Sequence, residues 1–236
     1  DINKRKEAEE ILRIEQELAL ALIEASDLTE TLNICLDAAI NVSGMDSGGL
    51  YVVNDNSGDL DLKVHSGLPA DFVLSASHYE VDSPSARRVM EGYPIYTHYK
   101  NLGIPLPKSR LKENLLAVAI IPIQYHGKVI ANLNIASHTL DNIPVQSQRA
   151  LETIGSLIGG AIMRSKAEKK LKESETYYKA LFEHSGAATV IIGEDTTISL
   201  ANTEFEKLSG YPREEIEGIM SWTEFVAKED MGKMKE

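Results

Sequence analysis

The sequence predicts an α+β fold in which an antiparallel sheet lies between amino-terminal and carboxy-terminal helices. Three observations lead to this prediction. Apolar residues recur every three or four positions before Gly44 and again after Pro144, which is the period of amphipathic helices. Between these segments the period changes to two, which is typical of strands with one buried face. Clusters of turn-forming residues divide the alternating region into hairpins.

Two helices are predicted at the start of the chain. Residues 1–26 are expected to form a signalling or dimerisation helix, because an apolar stripe along it offers a seam to a partner helix. The stripe consists of Ile11, Ile14, Leu18, Ala21, Ala25 and Leu28. A second helix is predicted to begin at Asp27, which can form a capping box with Glu30, and to end before Gly44.

The central region is predicted to contain two hairpins with a helix and a strand between them. The segment GGLYVVNDNSGDLDLKVHSGLP alternates around turn-forming residues, which indicates the first hairpin. Ser83 and Pro84 are a typical cap and first-turn pair for a helix that Gly92 ends, and YPIYTHY is predicted to be a strand. A loop with two prolines follows. The second hairpin, LLAVAIIPIQYHGKVIANLNIASH, has the strongest strand pattern and turns at YHGK.

One long helix is predicted to follow Pro144 and to continue to about Phe182. Small and charged residues interrupt its apolar stripe, so pairing along the stripe is predicted to be weak. The stripe comprises Gly160, Ala167, Leu171, Ser174, Tyr178 and Leu181. A weak pairing suits a switch, because ligand binding worth a few kcal/mol can shift it.

The charge balance argues against one class of partner. With 36 acidic and 24 basic residues, the net charge is −12. Binding to nucleic acid or to an anionic membrane surface uses clustered Lys and Arg. No nucleic-acid partner is therefore expected.

A single cysteine, Cys35, limits the covalent and metal chemistry of the chain. It cannot form an internal disulfide or complete a Cys/His metal site, so we expect a reducing compartment and no metal-binding residues. No apolar stretch reaches the length of a membrane span, and DINKRKEAEE lacks the pattern of a signal peptide. The chain is expected to be cytoplasmic, without membrane insertion, and to be a fragment of a longer protein.

The order of these elements resembles that of a GAF domain. Three segments carry the resemblance: VHSGLP, ARRVMEGYPIYT, and LLAVAIIPIQYHGKVIANLNIAS with the helix after it. The resemblance extends over residues 27–164, which are expected to form the GAF unit, with residues 165–180 as a linker helix. It implies an antiparallel sheet with the terminal helices on one face and a small-molecule pocket under loops on the other.

The end of the chain resembles the opening of a PAS domain. The segment YYKALFEHSGAATVIIGEDTTISLANTEFEKLSGYPREEIEG has a lead helix, two strands and a further helix in the order typical of that family. Thr203 and Glu206 are predicted to form a capping box at this further helix, which Gly210 ends. Because a complete PAS sheet has more strands than these two, residues 181–236 are expected to form a truncated PAS unit.

Two sensor-like units in tandem imply the input module of a signal-transduction protein, such as a sensor histidine kinase of a two-component system. The GAF unit is expected to bind a small molecule or a partner and to shift the helices that lead to the PAS unit. These helices are expected to pair as a coiled coil in a homodimer. No catalytic residues are predicted, because the sequence has neither a phosphoacceptor histidine motif nor a glycine-rich nucleotide lid. The cofactor, if any, stays unknown at this point.

Two alternative functions stay open. A haem- or bilin-binding redox or light sensor needs an axial or anchoring residue, but the histidines are isolated and the Cys-His dipeptide of common bilin-binding GAF units is absent. A GAF-type methionine sulfoxide reductase needs several thiols, and one cysteine requires an outside reductant. Because Cys35 lies on an apolar helix face, it is expected to be a buried core residue instead.

Polar residues on the predicted strands are the candidates for lining a pocket. Asn132 and Asn134 lie two positions apart in the last strand, so they share one face of the sheet. Because Asn is unfavourable in strands, this pair indicates a polar cavity. The alternative is that both side chains bond to loop backbone or face solvent. The candidate ligand-binding residues are Tyr51, Ser66, Tyr96, His98, Asn132 and Asn134.

Overall fold

The computed structural model describes residues 16, 18, 21, 25 and 27–226. The chain divides into two compact units, residues 1–166 and 167–236, each with a core of its own. The fold is α+β, as predicted, with six antiparallel strands in one sheet of the first unit.

Helices and strands of the first unit follow one another in the predicted order. The helices are α1 (Leu28–Ser43), α2 (Ala70–Ala76), α3 (Pro84–Met90) and α4 (Lys108–Leu111), with a 3-10 turn at Tyr99–Asn101. The strands are β1 (Ser47–Val53), β2 (Leu60–Ser66), β3 (His78–Tyr79), β4 (Ile95–His98), β5 (Ala117–Tyr125) and β6 (Lys128–Ser137). Between β2 and β4 the sequence predicted one helix, which is α3, whereas the structure also has α2 and the two-residue edge strand β3 there.

The strand order in the sheet is β3-β2-β1-β6-β5-β4, and every neighbouring pair is antiparallel. The predicted hairpins β1–β2 and β5–β6 are both present, and β1 pairs with β6 to join them. The second hairpin turns through His126 and Gly127, whose φ angles are 49° and 76°. Positive φ at both central residues is what a two-residue turn of this hand requires, and glycine adopts it without steric cost.

Local hydrogen bonds explain why the first hairpin and the first helix form where the sequence predicts them. The side-chain oxygen of Asn54 accepts from the backbone N–H of Asn56 at 3.0 Å and of Ser57 at 3.3 Å, which fixes the turn. Asp27 caps α1, because its Oδ1 accepts from the N–H of Glu30 at 2.9 Å. These are short-range interactions, so the sequence pattern alone reveals them.

The predicted amino-terminal helix over residues 1–26 lies mostly outside the described residues. Ile11 and Ile14 of its stripe are among those that the structure does not describe. Leu18 is described, and it is buried in the core of the first unit. This leucine therefore packs within its own chain.

One face of the sheet is covered by α1 and by the long helix α5 (Val145–Glu183). Leu36, Leu133, Ile154 and Ile158 are almost completely buried between these helices and the sheet. The approach is close at Gly159, where an added Cβ would lie 3.1 Å from Cγ2 of Ile123. This face is therefore filled by interdigitating apolar side chains.

The opposite face of the sheet is covered by α2, α3 and the segment that contains the 3-10 turn and α4. Its apolar groups form a second core that includes Phe72, Val89, Tyr99, Leu115 and Val118. Because successive strand residues point to opposite faces, each central strand contributes to both cores.

Helix α5 is continuous over 39 residues and includes the predicted linker at residues 165–180. Its buried positions end at Ile162. Beyond that point Leu171, Tyr178 and Leu181 are 61%, 66% and 51% exposed. The helix thus changes within one element from a packed core helix to an exposed one that carries apolar side chains. Among the described residues, no helix is both long enough and apolar enough to cross a bilayer.

The second unit contains a two-stranded hairpin and short helices. Its elements after α5 are β7 (Val190–Ile192), β8 (Ile198–Ala201), α6 (Thr203–Ser209), α7 (Arg213–Ile216) and a 3-10 turn at Trp222–Phe225. Ile198, Ala201 and Ile216 form its fully buried core. Trp222 and Phe225 pack partly against this core.

Asn202 is the N-cap of α6, and both the oxygen and the nitrogen of its side-chain amide form hydrogen bonds. Its Oδ1 accepts from the N–H groups of Phe205 at 3.0 Å and Thr189 at 2.9 Å. Its Nδ2 donates to the carbonyls of Phe182 at 3.0 Å and Ala187 at 2.8 Å. One buried side chain therefore joins the end of α5, the start of β7 and the start of α6.

The predicted capping box of Thr203 and Glu206 is wrong, because the capping position belongs to Asn202 and Thr203 is already helical. The Thr203 hydroxyl donates to Glu183 Oε2 at 3.0 Å. Glu183 and Glu206 both accept from the guanidinium of Arg213, at 2.8 Å and 3.3 Å. The bond from Arg213 is the main reason that the pKa of Glu183 is lowered to about 2.

Candidate functional site

A largely enclosed cavity of about 80 Å³ lies between the sheet and the helices α2, α3 and α4. Its floor consists of side chains from β1, β5 and β6, and its walls include Phe72 of α2, Tyr79 of β3, Val89 of α3 and Leu102 after the 3-10 turn. Most of this surface is apolar. The few polar groups that reach the cavity therefore determine what it can bind.

Asn132 brings an unpartnered acceptor to this cavity. Its side chain is 1% exposed, and its Nδ2 donates to Oδ1 of Asn134 at 2.7 Å. The Oδ1 of Asn132 is buried and has no hydrogen-bond partner among the described residues. Leaving such an acceptor without a partner costs about 1–3 kcal/mol, so the cavity presents a group that requires a donor.

Arg110 of α4 brings a buried positive charge to the same cavity. The residue is 6% exposed, its Nε donates to Ser75 Oγ at 3.3 Å, and its Nη2 donates to the Ser75 carbonyl. Its Cζ lies 5.0 Å from the ring centre of Tyr79 and 5.9 Å from that of Phe72. These bonds connect α4 to α2, but within the described part of the chain no carboxylate pairs with the guanidinium.

Arg88 of α3 is a second guanidinium at the cavity. Its Nε is buried without a hydrogen-bond partner in the part of the chain that the structure describes. A Cβ added to Gly103 would lie 3.7 Å from its Nη1, so the charged group reaches the loop above the cavity. The adjacent Arg87 is different, because its side chain is 69% exposed and lies 3.5 Å from Asp82.

Three tyrosines at the cavity, Tyr51, Tyr79 and Tyr99, keep their protons at neutral pH. Burial raises the pKa of each phenol, and for Tyr99 the pKa rises to about 12. The positive charge of Arg110 opposes this rise at all three, but burial is the larger effect. The rings of Tyr51 and Tyr79 are 5.5 Å apart. The cavity wall thus offers neutral hydroxyl groups beside the guanidinium of Arg110.

The structure brings three of the six candidate residues together at this cavity: Tyr51, Asn132 and Asn134. The two asparagines lie on one face of β6, as the alternation predicts. Tyr51 is opposite Asn132 in the β1–β6 register. Their shared face follows from the strand period.

The other three candidates, Ser66, Tyr96 and His98, do not line the cavity. The alternation of β4 directs Tyr96 to the face of α5, where its hydroxyl donates to Glu152 Oε1 at 2.8 Å. His98 lies two residues further on the same strand, and its Nδ1 accepts from the N–H of Lys100 at 3.4 Å. Ser66 is the last residue of β2 and pairs with Gly48. The sequence pattern predicted correctly that Tyr96 and His98 share one face of β4. It did not show which face of β4 the cavity occupies.

Sequence reasoning missed Arg88 and Arg110. A signal for Arg88 was available, because Ser85, Arg88 and Val89 lie at helical spacing on the face of α3 that lines the cavity. Arg110 had none, since α4 is a single turn between irregular segments. Its burial depends on how the loop folds back over the sheet.

Cys35 lies on the filled face and not at the cavity. It is fully buried in the core, and burial raises the pKa of its thiol to about 12. Nucleophilic and metal-binding cysteines react as thiolates, so this thiol is poorly suited to sulfoxide reduction. The described residues also hold no group of three His, Cys, Asp or Glu side chains placed to bind a metal ion.

Comparison with family models finds a GAF domain over residues 25–163 and a PAS fold over residues 176–235. This is the order that the sequence motifs indicated. No match is found among curated protein sequences.

Solved structures similar to this chain include GAF domains of several bacteria. The GAF domain of a phosphoenolpyruvate-protein phosphotransferase from Coxiella burnetii is 16% identical and aligns over 68% of this chain and 96% of its own, with a TM-score of 0.59. The GAF domain of a protein described as a sensor histidine kinase from Pseudomonas syringae pv. tomato is 14% identical over 73% and 98% of the two chains, with a TM-score of 0.54.

A chromophore-binding domain has a similar fold as well. It comes from a bacteriophytochrome of R. palustris and is 16% identical over 69% of this chain and 63% of its own, with a TM-score of 0.51. At these identities the likeness shows the fold alone.

Proposed function

Because the chain belongs to the GAF domain family, we propose that its first unit binds a small molecule in the cavity and that the chain is a sensory input module of a cytoplasmic signal-transduction protein. The tandem of a GAF and a PAS domain, both of them sensory domains, supports the sensor role. A sensor histidine kinase of a two-component system is the parent that we propose, and the fold shared with the Pseudomonas syringae protein supports it. In this proposal the present chain has no catalytic role.

The unpartnered Oδ1 of Asn132 is the observation that carries the binding proposal. An amide that is buried only to pack would be expected to have its hydrogen bonds satisfied, because an orphaned acceptor destabilises the folded state. The cavity volume of about 80 Å³ leaves room for a partner beside it. A small molecule that donates a hydrogen bond would satisfy the acceptor.

Strand β6 is the route by which we propose that an occupied cavity affects α5. Asn132 and Asn134 line the cavity, whereas Leu133 and Ile135 between and beside them are buried in the core that α1 and α5 cover. A ligand that shifts the asparagines therefore also shifts residues that pack against the helices. Packed cores respond to such shifts by changing between discrete arrangements.

We propose that the helices then act within a homodimer. In this division of the chain, residues 1–26 are a dimerisation helix, residues 27–164 the GAF unit, residues 165–180 the linker and residues 181–236 a truncated PAS unit. The exposed apolar side chains of Leu171, Tyr178 and Leu181 lie at helical spacing. A second copy of the same helix is the partner that this spacing suits.

A tetrapyrrole is a poorer candidate ligand than a small metabolite. Pockets for drug-sized ligands have volumes of roughly 300–1,000 Å³, whereas this cavity has about 80 Å³. Haem or bilin binding would therefore need the cover formed by α2, α3 and α4 to open widely. An absorption band in the visible range would be its direct sign.

Native mass spectrometry of the purified chain, together with thermal unfolding in a broad metabolite library, tests the proposed binding. We expect either a retained small molecule, released on denaturation, or at least one compound that raises the melting temperature. Ser85→Phe, which fills the cavity from α3, is expected to abolish either effect. Ala70→Phe, at an exposed position of α2, is the matched control and should keep it. If neither method detects a ligand for the native chain, the binding proposal is wrong.

Light scattering after size-exclusion chromatography tests the proposed dimer. We expect the mass of two chains for the native protein and of one chain for the double variant Leu171→Glu, Leu181→Glu. Glutamate at two exposed apolar positions would place like charges together at a paired seam, while an unpaired helix would tolerate them. A native chain that stays monomeric at high concentration contradicts the dimer but leaves the ligand-binding proposal untouched.

A further inference from the structure

The polar groups of the cavity carry an uncompensated positive charge. Arg88 and Arg110 both reach it, and neither has a carboxylate partner among the described residues. Asn132, Asn134 and the tyrosines are neutral. Burying a guanidinium without a counter-charge is costly, because it loses hydration without gaining an ion pair. An anion in the cavity would offset this cost.

The buried polar atoms at the cavity that have no partner among the described residues are of two kinds. The guanidinium groups only donate, and the orphaned Nε of Arg88 has no acceptor. The Oδ1 of Asn132 only accepts and has no donor. An inorganic anion without a hydrogen atom, such as chloride or sulfate, would satisfy the arginines but leave this acceptor unpaired. An occupant that satisfies both must combine a negative group with a donor.

We infer that the cavity binds a small organic carboxylate that also carries a hydroxyl group, so that the ligand combines a net negative charge with a neutral donor. The carboxylate of the ligand would accept hydrogen bonds from Arg88 and Arg110, and the hydroxyl of the ligand would donate to Oδ1 of Asn132. This inference rests on the proposed function of the cavity and adds the chemical class of its ligand.

The size and cover of the cavity agree with a short carboxylate. A volume of about 80 Å³ corresponds to on the order of five water molecules, which is the space of a molecule with a few carbon atoms. The apolar lining from Phe72, Val89 and Val118 suits a short hydrocarbon body. Water alone could fill this space, but it would not neutralise the guanidinium groups.

Arg110 also gives the ligand a way to hold the cover in place. It donates to Ser75 of α2 through Nε and Nη2, while its guanidinium lines the cavity. An anion bound there would hold the guanidinium in the orientation that ties α4 to α2. Binding and closure of the cover would then be coupled.

Thermal unfolding of the whole chain with four matched probes tests the ligand class. L-lactate has a carboxylate and a neutral hydroxyl donor, and L-alanine has a carboxylate and a positively charged ammonium donor. Propionate has the carboxylate alone, and lactamide has the hydroxyl without a charge. We expect L-lactate, at about five times its Kd, to raise the melting temperature by about 2–4 °C. L-alanine should have a smaller effect, because its ammonium repels the guanidinium groups. Propionate should have a smaller effect and lactamide the smallest.

Substitutions at the two arginines show whether the effect arises in the cavity. Arg88→Gln and Arg110→Gln are each expected to weaken binding of the active probe about ten- to a hundred-fold, which is the usual loss for a hydrogen bond to a charged group. Arg87→Gln is the control on the same helix, because Arg87 is exposed, and it should bind as the native chain does. Asn132→Asp should abolish binding, since a carboxylate of equal size repels the anion.

Arg88→Gln keeps the test valid if Arg110→Gln fails to fold, because Nε of Arg88 is without a hydrogen-bond partner in the described part of the chain. Three results would overturn the inference: lactamide as effective as L-lactate, unchanged affinity in Arg88→Gln, or no shift with any carboxylate probe. In each case a metabolite that raises the melting temperature in the broader library would leave the proposed function standing. Only the ligand class would then be wrong.

Discussion

The two faces of the six-stranded sheet differ in how completely their buried groups are matched. Towards α1 and α5, fully buried aliphatic side chains such as Leu133 and Ile154 fill the space. Towards α2, α3 and α4, Oδ1 of Asn132 and Nε of Arg88 are buried without partners beside a cavity. The contrast arises within single strands, because Leu133 lies between Asn132 and Asn134 on β6.

This difference indicates that stability and recognition are assigned to opposite faces. Filled aliphatic packing lowers the free energy of the folded chain, whereas unsatisfied polar groups raise it. Natural sequences keep unsatisfied buried polar groups at sites where function requires them, although these groups reduce stability. Substitutions on the two faces should therefore differ in how much they change the free energy of unfolding, and four predictions test the contrast.

The largest effect is expected for Leu133→Ala. Leu133 is 0% exposed and pairs with Leu50 and Ile121 in the sheet, so its truncation leaves a cavity in the filled face. The free energy of unfolding should fall by about 2–5 kcal/mol. Urea unfolding followed by circular dichroism measures it. Leu74→Ala is the control, because Leu74 is 80% exposed, and its effect should stay within about 0.5 kcal/mol.

A smaller loss is expected for Asn134→Ala on the cavity face. This change removes the acceptor for Nδ2 of Asn132, which lies at 2.7 Å from it. The buried amide of Asn132 then lacks partners on both atoms, at a cost of about 1–3 kcal/mol. In Asn132→Leu, Asn134→Ala the cost should largely disappear, since no buried amide is left. Equal losses in the single and double variants would contradict the role of this bond.

Local interactions were predictable from the sequence, and long-range ones were not. Asp27 at the start of α1 and Gly127 in the β5–β6 turn act over a few residues, so the pattern located them. The capping box of Thr203 and Glu206 fitted the same local rules, yet Asn202 caps α6 because it also bonds to Phe182 and Thr189. Contacts across about 20 residues decided between two locally acceptable caps.

The candidate site was half predictable for the same reason. Asn132 and Asn134 are unusual residues in a strand, so composition revealed them. Tyr96 showed the same alternation, but the face of β4 that meets α5 depends on the assembled sheet. Arg110 gave no signal, because its burial results from a loop that folds over β1 and β6. Alternation identifies residues that share a face, and only tertiary packing decides what that face contacts.

A third prediction concerns the pH dependence of the filled face. Burial raises the pKa of Cys35 from 9.0 to about 12, so the unfolded chain loses this proton first. The stability contributed by the neutral thiol is complete below pH 9 and is lost as the pH rises towards 12. At pH 10 the loss from this group is about 1.4 kcal/mol. Between pH 8 and pH 10, the free energy of unfolding, measured with urea, should therefore fall by about 1.4 kcal/mol less in Cys35→Ala than in the native chain. An equal loss in both proteins would mean that the thiol meets solvent.

The smallest effect is expected for Asn132→Leu. Leucine has the same number of side-chain heavy atoms as asparagine and has no acceptor to leave unpaired, so it removes the cost of the orphaned Oδ1. Asn134 loses its donor, but it is only partly buried and can bond to water. In urea unfolding without ligand, the stability should be unchanged or higher by up to about 1 kcal/mol, while binding of L-lactate is lost. A loss comparable with that of Leu133→Ala would show that the cavity face is packed as tightly as the filled one, and the two faces would no longer have separate roles.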